Sequence, residues 1–259
     1  MTRAAKDARS VEGRVAFVTG AASGMGRATA ALFAEVGARV AVTDVDGDAA
    51  ERAAEAIRAA GGAARAWALD VADAEAIERV VRESAEALGG LDVLVNNAGV
   101  AIGAPLDADG FEAAWQRSLD VMLTAHARTT RAALPWLAAS GEGRVVNVAS
   151  TEALGATAGI SPYTAAKHGV VGLTRSLAIE LARHGITVNC VCPGSIVTGM
   201  TSVIPEAARE KFARRRVPLR RYGEPEEVAH MVLSLALPAA SYTTGAVLAV
   251  DGGLTIQNT

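Results

Sequence analysis

Short apolar runs alternate with longer stretches of mixed polarity along almost the whole chain. A short continuous apolar run predicts a strand buried on both faces, and a longer stretch with apolar residues every three or four positions predicts a helix. The short runs predict strands at residues 15–19, 40–43, 66–69, 93–95, 145–148, 187–191 and 247–250. The longer stretches predict helices at residues 25–36, 49–60, 74–88, 111–138, 162–184 and 226–237. Strands that alternate with helices favour right-handed crossovers and one parallel sheet covered by helices on both faces.

Turn and linker signals indicate a single domain. Glycine, which can end a helix in the left-handed conformation, follows several predicted helices, at Gly37, Gly61, Gly89 and Gly185. No linker rich in Pro, Gly or Ser divides the chain. The first dozen residues are mostly polar, so residues 1–12 are expected to form a flexible tail. The sequence therefore predicts one α/β domain over residues 13–259, a Rossmann-like doubly wound parallel sheet with helices on both faces.

Composition narrows the class of function. The 259 residues are 51% apolar and include 26 glycines, which suits a globular enzyme with a sizeable core. The net charge of −3 gives no reason to expect nucleic acid or an anionic membrane as a partner. No apolar run has the length of a transmembrane helix, and nothing resembles a signal peptide.

The two cysteines, Cys190 and Cys192, lie two apart in a predicted strand. We expect their side chains to face opposite ways and to form no disulfide. Because no group of His and Cys has the spacing of metal ligands, no metal site is expected. The lack of disulfides and targeting signals favours a cytoplasmic location.

A glycine-rich segment, Thr-Gly-Ala-Ala-Ser-Gly-Met-Gly at residues 19–26, joins the first predicted strand to the first helix. Its glycines allow a tight turn and let the backbone approach a pyrophosphate, which the positive N-terminus of the helix attracts. A purely structural turn is the alternative interpretation. The position between a strand and a helix favours dinucleotide binding.

Asp44 ends the second predicted strand, eighteen residues beyond Gly26. A carboxylate there can hydrogen-bond both ribose hydroxyls of NAD and would repel the additional phosphate of NADP. No Arg or Lys stands at positions 21, 22, 23 or 45 to attract that phosphate. Asp44 could instead simply begin the turn that contains Asp46. The sequence favours NAD as the cofactor.

A hydroxyl and an amine accompany a tyrosine farther along the chain. Ser161-Pro162 is a helix-start signal, with a hydroxyl cap followed by proline. Tyr163 and Lys167 then lie four residues apart on one helical face. A lysine cation favours the phenolate and lowers the pKa of the tyrosine from about 10. Ser150, at the end of the fifth predicted strand, would point into the crevice where ligands bind.

Together these motifs resemble the classical short-chain dehydrogenase/reductase family, and the resemblance runs from about Gly13 to Gly253. It implies seven parallel strands, Ser150, Tyr163 and Lys167 as catalytic residues, and a homo-oligomer, either a dimer or a tetramer. Small residues on the Tyr163 helix would allow close packing against another helix. The cofactor-binding residues implied are Gly20, Ser23, Gly24, Met25, Gly26, Asp44, Val45, Asp70, Val71, Asn97, Ala98, Gly99, Tyr163, Lys167, Pro193, Gly194, Ile196 and Thr198.

Two segments keep more than one interpretation. Asp70 would contact the adenine in such a family, but it could equally cap the helix that begins near Ala74. Residues 199–218 would form a short substrate lid. The basic residues there and just beyond, Arg209, Lys211, Arg214, Arg215, Arg216, Arg220 and Arg221, form either a solvated helix face or a clamp for an anionic substrate or acyl carrier.

The chain departs from the family pattern at Met122. The family has an asparagine there, which helps to hold a water that relays protons from the lysine. A thioether is only a weak acceptor and cannot donate. His126, one helical turn away, titrates near neutrality in its unperturbed state, so it is a candidate replacement. A packed or surface histidine is the simpler interpretation.

These observations predict an NAD-dependent oxidoreductase that interconverts a secondary alcohol and a ketone, both small molecules, with Tyr163 as the acid/base. The alternative is a catalytically weak NAD-binding sensor or partner protein, because Met122 replaces the relay asparagine. A dehydratase or epimerase of related fold is a third possibility.

Overall fold

The computed structural model describes residues 5–257 and shows a sheet of seven parallel strands. The strands are β1 Val15–Thr19, β2 Arg39–Asp44, β3 Ala63–Ala68, β4 Val93–Asn96, β5 Arg144–Val148, β6 Thr187–Pro193 and β7 Val247–Val250. Their order across the sheet is β3-β2-β1-β4-β5-β6-β7, and every adjacent pair is parallel. The predicted fold class and strand number are confirmed.

Ten α-helices fall within the described residues. They are α1 Ala5–Ala8, α2 Gly24–Glu35, α3 Gly47–Ala59, α4 Ala74–Leu88, α5 Phe111–Leu119, α6 Ala125–Ala139, α7 Ser161–Leu181, α8 Gly199–Ser202, α9 Glu206–Arg216 and α10 Pro225–Ala236. None of these helices is both long enough and apolar enough to cross a membrane. Two large hydrophobic clusters, one on each face of the sheet, form the core.

The strand order creates a switch point. The chain runs outward from β1 through β2 to β3, and then returns to place β4 on the other side of β1. The crossovers on the two sides of β1 therefore leave in opposite directions, which opens a crevice at the carboxyl ends of β1 and β4. The predicted ligand-binding segments after these strands converge on this crevice.

The expected N-terminal tail is shorter than predicted. Residues 1–4 lie outside the described residues, but Ala5–Ala8 forms a helical turn and Val11 is fully buried in a core cluster. Val11 is the one branched aliphatic residue of that segment, so its burial fastens the chain before Gly13. A flexible tail over residues 1–12 is therefore wrong for its last residues.

The long predicted helix at 111–138 contains a π-helical turn at Asp120–Thr124, between α5 and α6. Within it, the backbone N–H of Ala125 donates to the carbonyl of Asp120, five residues back. Such a turn inserts one residue into the helical register and is frequent at functional sites. It contains Met122, the residue that departs from the family pattern.

Several smaller predictions need correction. The expectation that Cys190 and Cys192 face opposite ways was wrong, because residues two apart in a strand share a face. Both thiols are free and lie in one buried cluster. Strand β3 begins three residues earlier than predicted, because it is an edge strand with exposed positions rather than a continuous apolar run. Helix α7 begins at Ser161, with no side-chain cap.

Gly26 keeps the first helix tight against the sheet. A Cβ at this position would overlap the carbonyl oxygen of Gly20 and the side-chain amide of Asn97. We expect Gly26→Ala to lower the free energy of unfolding by at least about 2 kcal/mol, because a backbone oxygen cannot move aside as a flexible side chain would. Urea denaturation monitored by circular dichroism measures the change.

The matched control is Gly155→Ala, since Gly155 is exposed and a Cβ there would approach only the carbonyl of Thr151, at 4.0 Å. This variant should change stability by less than about 0.5 kcal/mol. Equal stability of the two variants would contradict the close approach.

Candidate active site

The glycine-rich loop turns sharply between β1 and α2. Gly20 and Gly24 have positive φ angles of 62° and 51°, a conformation that side chains with a Cβ rarely adopt. A Cβ on Gly20 would also lie 2.8 Å from the Cα of Ala98. Any residue other than glycine at position 20 would prevent this close approach of the loop to the end of β4. The loop presents the N-terminus of α2 to the crevice.

Side-chain hydrogen bonds hold this loop to β4. The amide nitrogen of Asn97 donates to the carbonyls of Thr19 and Gly20, at 2.9 and 3.1 Å. In return, the hydroxyl of Thr19 accepts from the backbone N–H groups of Asn97 and Ala98. Asn97 lines the crevice, as the sequence predicted, and it also supports the loop.

The crevice brings together most of the predicted cofactor-binding residues. Its lining includes Gly20, Ser23, Gly24, Met25, Asp44, Val45, Asp70, Val71, Asn97, Ala98, Gly99, Tyr163, Lys167 and Thr198. Lining residues that sequence reasoning did not assign to the site are Leu69, Val100, Arg117, Val121, Val148, Ala149 and Gly199. Most of these are apolar residues whose types carry no chemical signal.

Other predicted residues lie behind the crevice or beside it. Gly26 is buried in the loop packing, Pro193 ends β6, and Ile196 is 5% exposed and pairs with Gly223 in an isolated bridge. A Cβ on Gly194 would collide with Asp251, which explains a glycine there on packing grounds. Ser150 is not among the lining residues, but it follows lining residue Ala149 directly in the chain.

Asp44 occupies the end of β2, where the sequence predicted it. Its carboxylate accepts from the backbone N–H of Ala22 at 3.1 Å and from that of Asp46 at 3.2 Å. Of the described residues that line the crevice, only Arg117 and Lys167 are cationic. Arg117 lies 3.7 Å from Asp70, and Lys167 bonds to the carbonyl of Val148, so Asp44 has no cationic partner.

Asp70 does not cap helix α4. Asp73, not Asp70, accepts from the first N–H groups of that helix, those of Glu75 and Ala76. Asp70 instead accepts from the backbone of Ala72 and lines the crevice. The capping interpretation of Asp70 is therefore wrong, and contact with a ligand stays a prediction.

Ser150 lies close enough to Tyr163 to affect its pKa. Ser150 ends the β5 segment, and its hydroxyl accepts from the backbone N–H of Glu152 at 3.1 Å. Burial raises the pKa of Tyr163, a hydrogen bond with Ser150 acts in the opposite direction, and the charge of Glu152 raises it further. The net direction is opposite to the one expected from a lysine alone, because burial outweighs the other effects.

Lys167 is buried beside the tyrosine. Its Nζ donates to the carbonyl of Val148 at 2.9 Å and lies 5.7 Å from the centroid of the Tyr163 ring. Burial lowers the pKa of Lys167 to about 8, and the nearby thiols of Cys190 and Cys192 act against that change. The ammonium is therefore still mostly protonated near pH 7.

Met122 and His126 are both buried. Met122 is fully buried from solvent and lines the crevice with Lys167. His126 is 2% exposed, and neither ring nitrogen has a hydrogen-bond partner among the described residues. Burial, together with the charge of Lys167, lowers the pKa of His126 to about 3. The expectation that His126 titrates near neutrality is thus wrong, because the imidazole stays neutral.

The basic segment lies on an exposed surface. In α9 only Ala213 is buried, Arg214 pairs with Glu210, and Arg221 pairs with Glu227. The remaining predicted cations of the segment form no ion pair within the described residues. Both interpretations of the basic segment, a solvated helix face and a clamp for an anionic substrate or acyl carrier, stay predictions.

Comparison with known proteins agrees with this geometry. A family model described as enoyl-(acyl carrier protein) reductase matches residues 20–255. A 3-oxoacyl-[acyl-carrier-protein] reductase of Thermotoga maritima is 40% identical over 95% of this chain and 99% of its own. A cis-4-hydroxycyclohexanecarboxylate dehydrogenase of Sinomonas cyclohexanicum is 45% identical over 93% of this chain and 96% of its own.

A solved structure from Beutenbergia cavernae, assigned as an NAD(P)-dependent gluconate 5-dehydrogenase with bound NADP at low occupancy, superposes with a TM-score of 0.89. It is 38% identical and covers 96% of this chain and 99% of its own. The chain belongs to the classical short-chain dehydrogenase/reductase family. It is an enzyme of the oxidoreductase class.

The role of Met122 can be tested with two substitutions. If the proton relay is simply absent, Met122→Asn should leave NADH binding unchanged and raise turnover wherever proton transfer limits it. If His126 has taken over, His126→Ala should slow turnover by about tenfold or more, while Met122→Asn helps little. Turnover between about pH 6 and pH 10 distinguishes the cases.

Because the pKa of His126 is about 3, no step in the pH profile over that range should belong to its titration. Leu137→Ala, a fully buried truncation on the same helix, controls for a general loss of packing. If neither variant changes turnover, proton delivery does not limit this enzyme, and Met122 instead shapes the pocket or the helix.

Proposed function

We propose that this protein is an NAD(H)-dependent oxidoreductase that interconverts a secondary alcohol and a ketone, with Tyr163 as the acid/base. The observation that carries the proposal is the position of Tyr163 and Lys167. Both line the crevice that also contains the glycine-rich loop and Asp44, and Ser150 is close enough to Tyr163 to affect its pKa. One crevice thus holds a dinucleotide-binding loop and a proton-transfer group.

The residues present fit a nicotinamide dinucleotide. The glycine loop leaves the N-terminus of α2 free of any side-chain cap, as a pyrophosphate site requires. Asp44 would bind the adenosine ribose, and Lys167 would hold the nicotinamide ribose. Pro193 to Thr198, with the hydroxyl of Thr198 in the crevice, would lie near the nicotinamide. When bound, the cofactor donates or accepts the hydride.

Tyr163, Ser150 and Lys167 have different roles in proton transfer. Tyr163 accepts the hydroxyl proton during alcohol oxidation and returns it during ketone reduction. The Ser150 hydroxyl already accepts from the N–H of Glu152, so its own proton can be donated to the substrate oxygen, where charge develops. Lys167 uses one of its three donors on Val148, and its positive charge favours the phenolate form of Tyr163.

The relatives bear on the substrate and the cofactor in different ways. The Sinomonas protein is described as acting on cis-4-hydroxycyclohexanecarboxylate and the Beutenbergia protein on gluconate. Both compounds contain a secondary alcohol, which supports a secondary alcohol as the substrate of this protein. The NADP in the Beutenbergia structure makes NADP the competing cofactor. Asp44, without a cationic neighbour in the crevice lining, is our reason for preferring NAD.

The second candidate is a catalytically weak NAD-binding sensor or partner protein. Its support is Met122, which lines the crevice beside Lys167 and can neither donate a proton nor accept one strongly. Measurable turnover of any alcohol or ketone at an ordinary enzymatic rate would exclude this candidate.

We also propose a homo-oligomer, a dimer or a tetramer, in the cytoplasm. Ile179 on α7 is 81% exposed, and β7 is an edge strand on which Leu248 is 37% exposed. Exposed apolar side chains next to an open sheet edge are typical of association surfaces. Sedimentation velocity of the purified protein measures the state, and a monomer at micromolar concentration would contradict the proposal.

Cofactor choice follows from Asp44. We expect NADH to bind at least about tenfold more tightly than NADPH, a difference of roughly 1.4 kcal/mol, because the carboxylate repels the 2′-phosphate. Fluorescence titration with each cofactor measures both dissociation constants. The double variant Asp44→Ala with Val45→Arg should reverse or remove the preference.

Asp48→Asn is the control for loss of a nearby carboxylate, since Asp48 lies in the first turn of α3 and outside the crevice lining. It should keep the wild-type preference for NADH. Equal affinities of the wild-type protein for NADH and NADPH would show that Asp44 does not select the cofactor.

The acid/base role of Tyr163 predicts the effect of removing one oxygen atom. Tyr163→Phe should keep the fold and bind NADH normally, while turnover falls by about 10² or more, the usual scale of positioned proton transfer. Steady-state kinetics with an alcohol and a ketone measure the loss. Tyr242→Phe, at a fully exposed tyrosine, is the matched control and should be silent. A Tyr163→Phe enzyme with most of its rate would refute the mechanism.

A further inference from the structure

Glu152 lies next to the catalytic serine in a fixed position. It belongs to the single helical turn Thr151–Ala153, which follows Ser150 directly. Its backbone N–H donates to the Ser150 hydroxyl at 3.1 Å, so any shift of this residue would also move the serine. Glu152 is half-buried, so its carboxylate remains accessible from the solvent side.

The carboxylate of Glu152 joins the β5 segment to the start of α7. Its Oε1 accepts from the hydroxyl of Thr157 at 2.7 Å, and its Oε2 accepts from the hydroxyl of Thr164 at 3.0 Å. Thr164 is the residue after Tyr163, so the carboxylate connects the turn after Ser150 to the first turn of the helix that carries Tyr163. Its charge acts on the Tyr163 hydroxyl, which shows that the two groups are electrostatically close.

Within the described residues this carboxylate forms no ion pair, and its two hydrogen-bond partners are neutral threonine hydroxyls. Each oxygen accepts one hydrogen bond, although a carboxylate offers about four acceptor positions in total. The carboxylate therefore has free acceptor positions, and its charge acts on the Tyr163 hydroxyl. A substrate with a hydrogen-bond donor near its reacting carbon would gain a partner here, whereas an anionic group in that place would be repelled.

We infer that Glu152 is a specificity-determining residue that selects substrates with a second hydroxyl close to the reacting carbinol and rejects substrates with a carboxylate there. The inference rests on the proposed alcohol/ketone activity and narrows it to neutral, diol-like or hydroxyketone substrates. Glu152 takes no part in proton transfer. It binds the part of the substrate that does not react.

Three ring alcohols test the inference, since they share a skeleton and differ at one carbon: cyclohexanol, cyclohexane-1,2-diol and 2-hydroxycyclohexanecarboxylate. The wild-type enzyme should favour the diol over the hydroxy acid in kcat/KM by about a hundredfold or more. Glu152→Gln keeps the shape of the side chain and removes its charge. It should narrow this ratio at least tenfold, chiefly because the hydroxy acid improves.

The quantity to compare is the ratio of kcat/KM for the diol to kcat/KM for the hydroxy acid, because Glu152→Gln also changes the pKa of Tyr163. That change affects all three alcohols alike and cancels in the ratio. Glu152→Asp, which keeps the charge, should retain the preference for the diol. Glu180→Gln removes the same charge from the other end of α7, at an exposed position, and should leave the ratio unchanged.

A ratio that moves less than threefold in Glu152→Gln would overturn the inference, as would a wild-type enzyme that prefers the hydroxy acid. In both cases the enzyme turns over alcohols, so the proposed function stands. If NADH binds but none of a broad panel of alcohols and ketones reacts, the proposed function itself fails, and the specificity inference falls with it.

Discussion

The hydrogen bonds between Asn97 and the glycine-rich loop are the contacts on which the rest of the site depends. They fasten the end of β1 to the end of β4 at the point where the strand order reverses. Because Gly20 touches the backbone of Ala98, the loop has no freedom to move away from the sheet. The N-terminus of α2, the carboxylate of Asp44 and the floor of the crevice all take their positions from this junction.

A second set of buried polar contacts positions the catalytic side. Asn96 donates to Asn147 at 2.9 Å, Thr129 donates to Asn96, and Asn147 donates to Thr174 on α7. This chain links α6, β4, β5 and α7 through the core. A buried polar group without a partner is costly, so a fully connected chain of this kind specifies one arrangement of its helices. Helix α7 carries Tyr163 and Lys167, whose distance from the end of β5 is thereby set.

The sequence predicted most strands and helices to within a residue or two, because strands buried on both faces read as continuous apolar runs. It misplaced the start of β3, because β3 is an edge strand with exposed residues and is not a continuous apolar run. The glycine loop, Asp44 and the Tyr163–Lys167 pair could be predicted, because each depends on local spacing. The neutrality of His126 and the contacts of Glu152 could not, because both depend on residues brought together only by folding.

Burial sets the balance between Tyr163 and Lys167. It raises the pKa of the phenol and lowers that of the ammonium, so each change favours the uncharged form of its own group. The two groups are close enough for a phenolate and an ammonium to stabilise each other. Apolar Met122 lines the crevice beside this pair, and burial has the largest effect on the pKa of Tyr163, ahead of the hydrogen bond with Ser150 and the charge of Glu152.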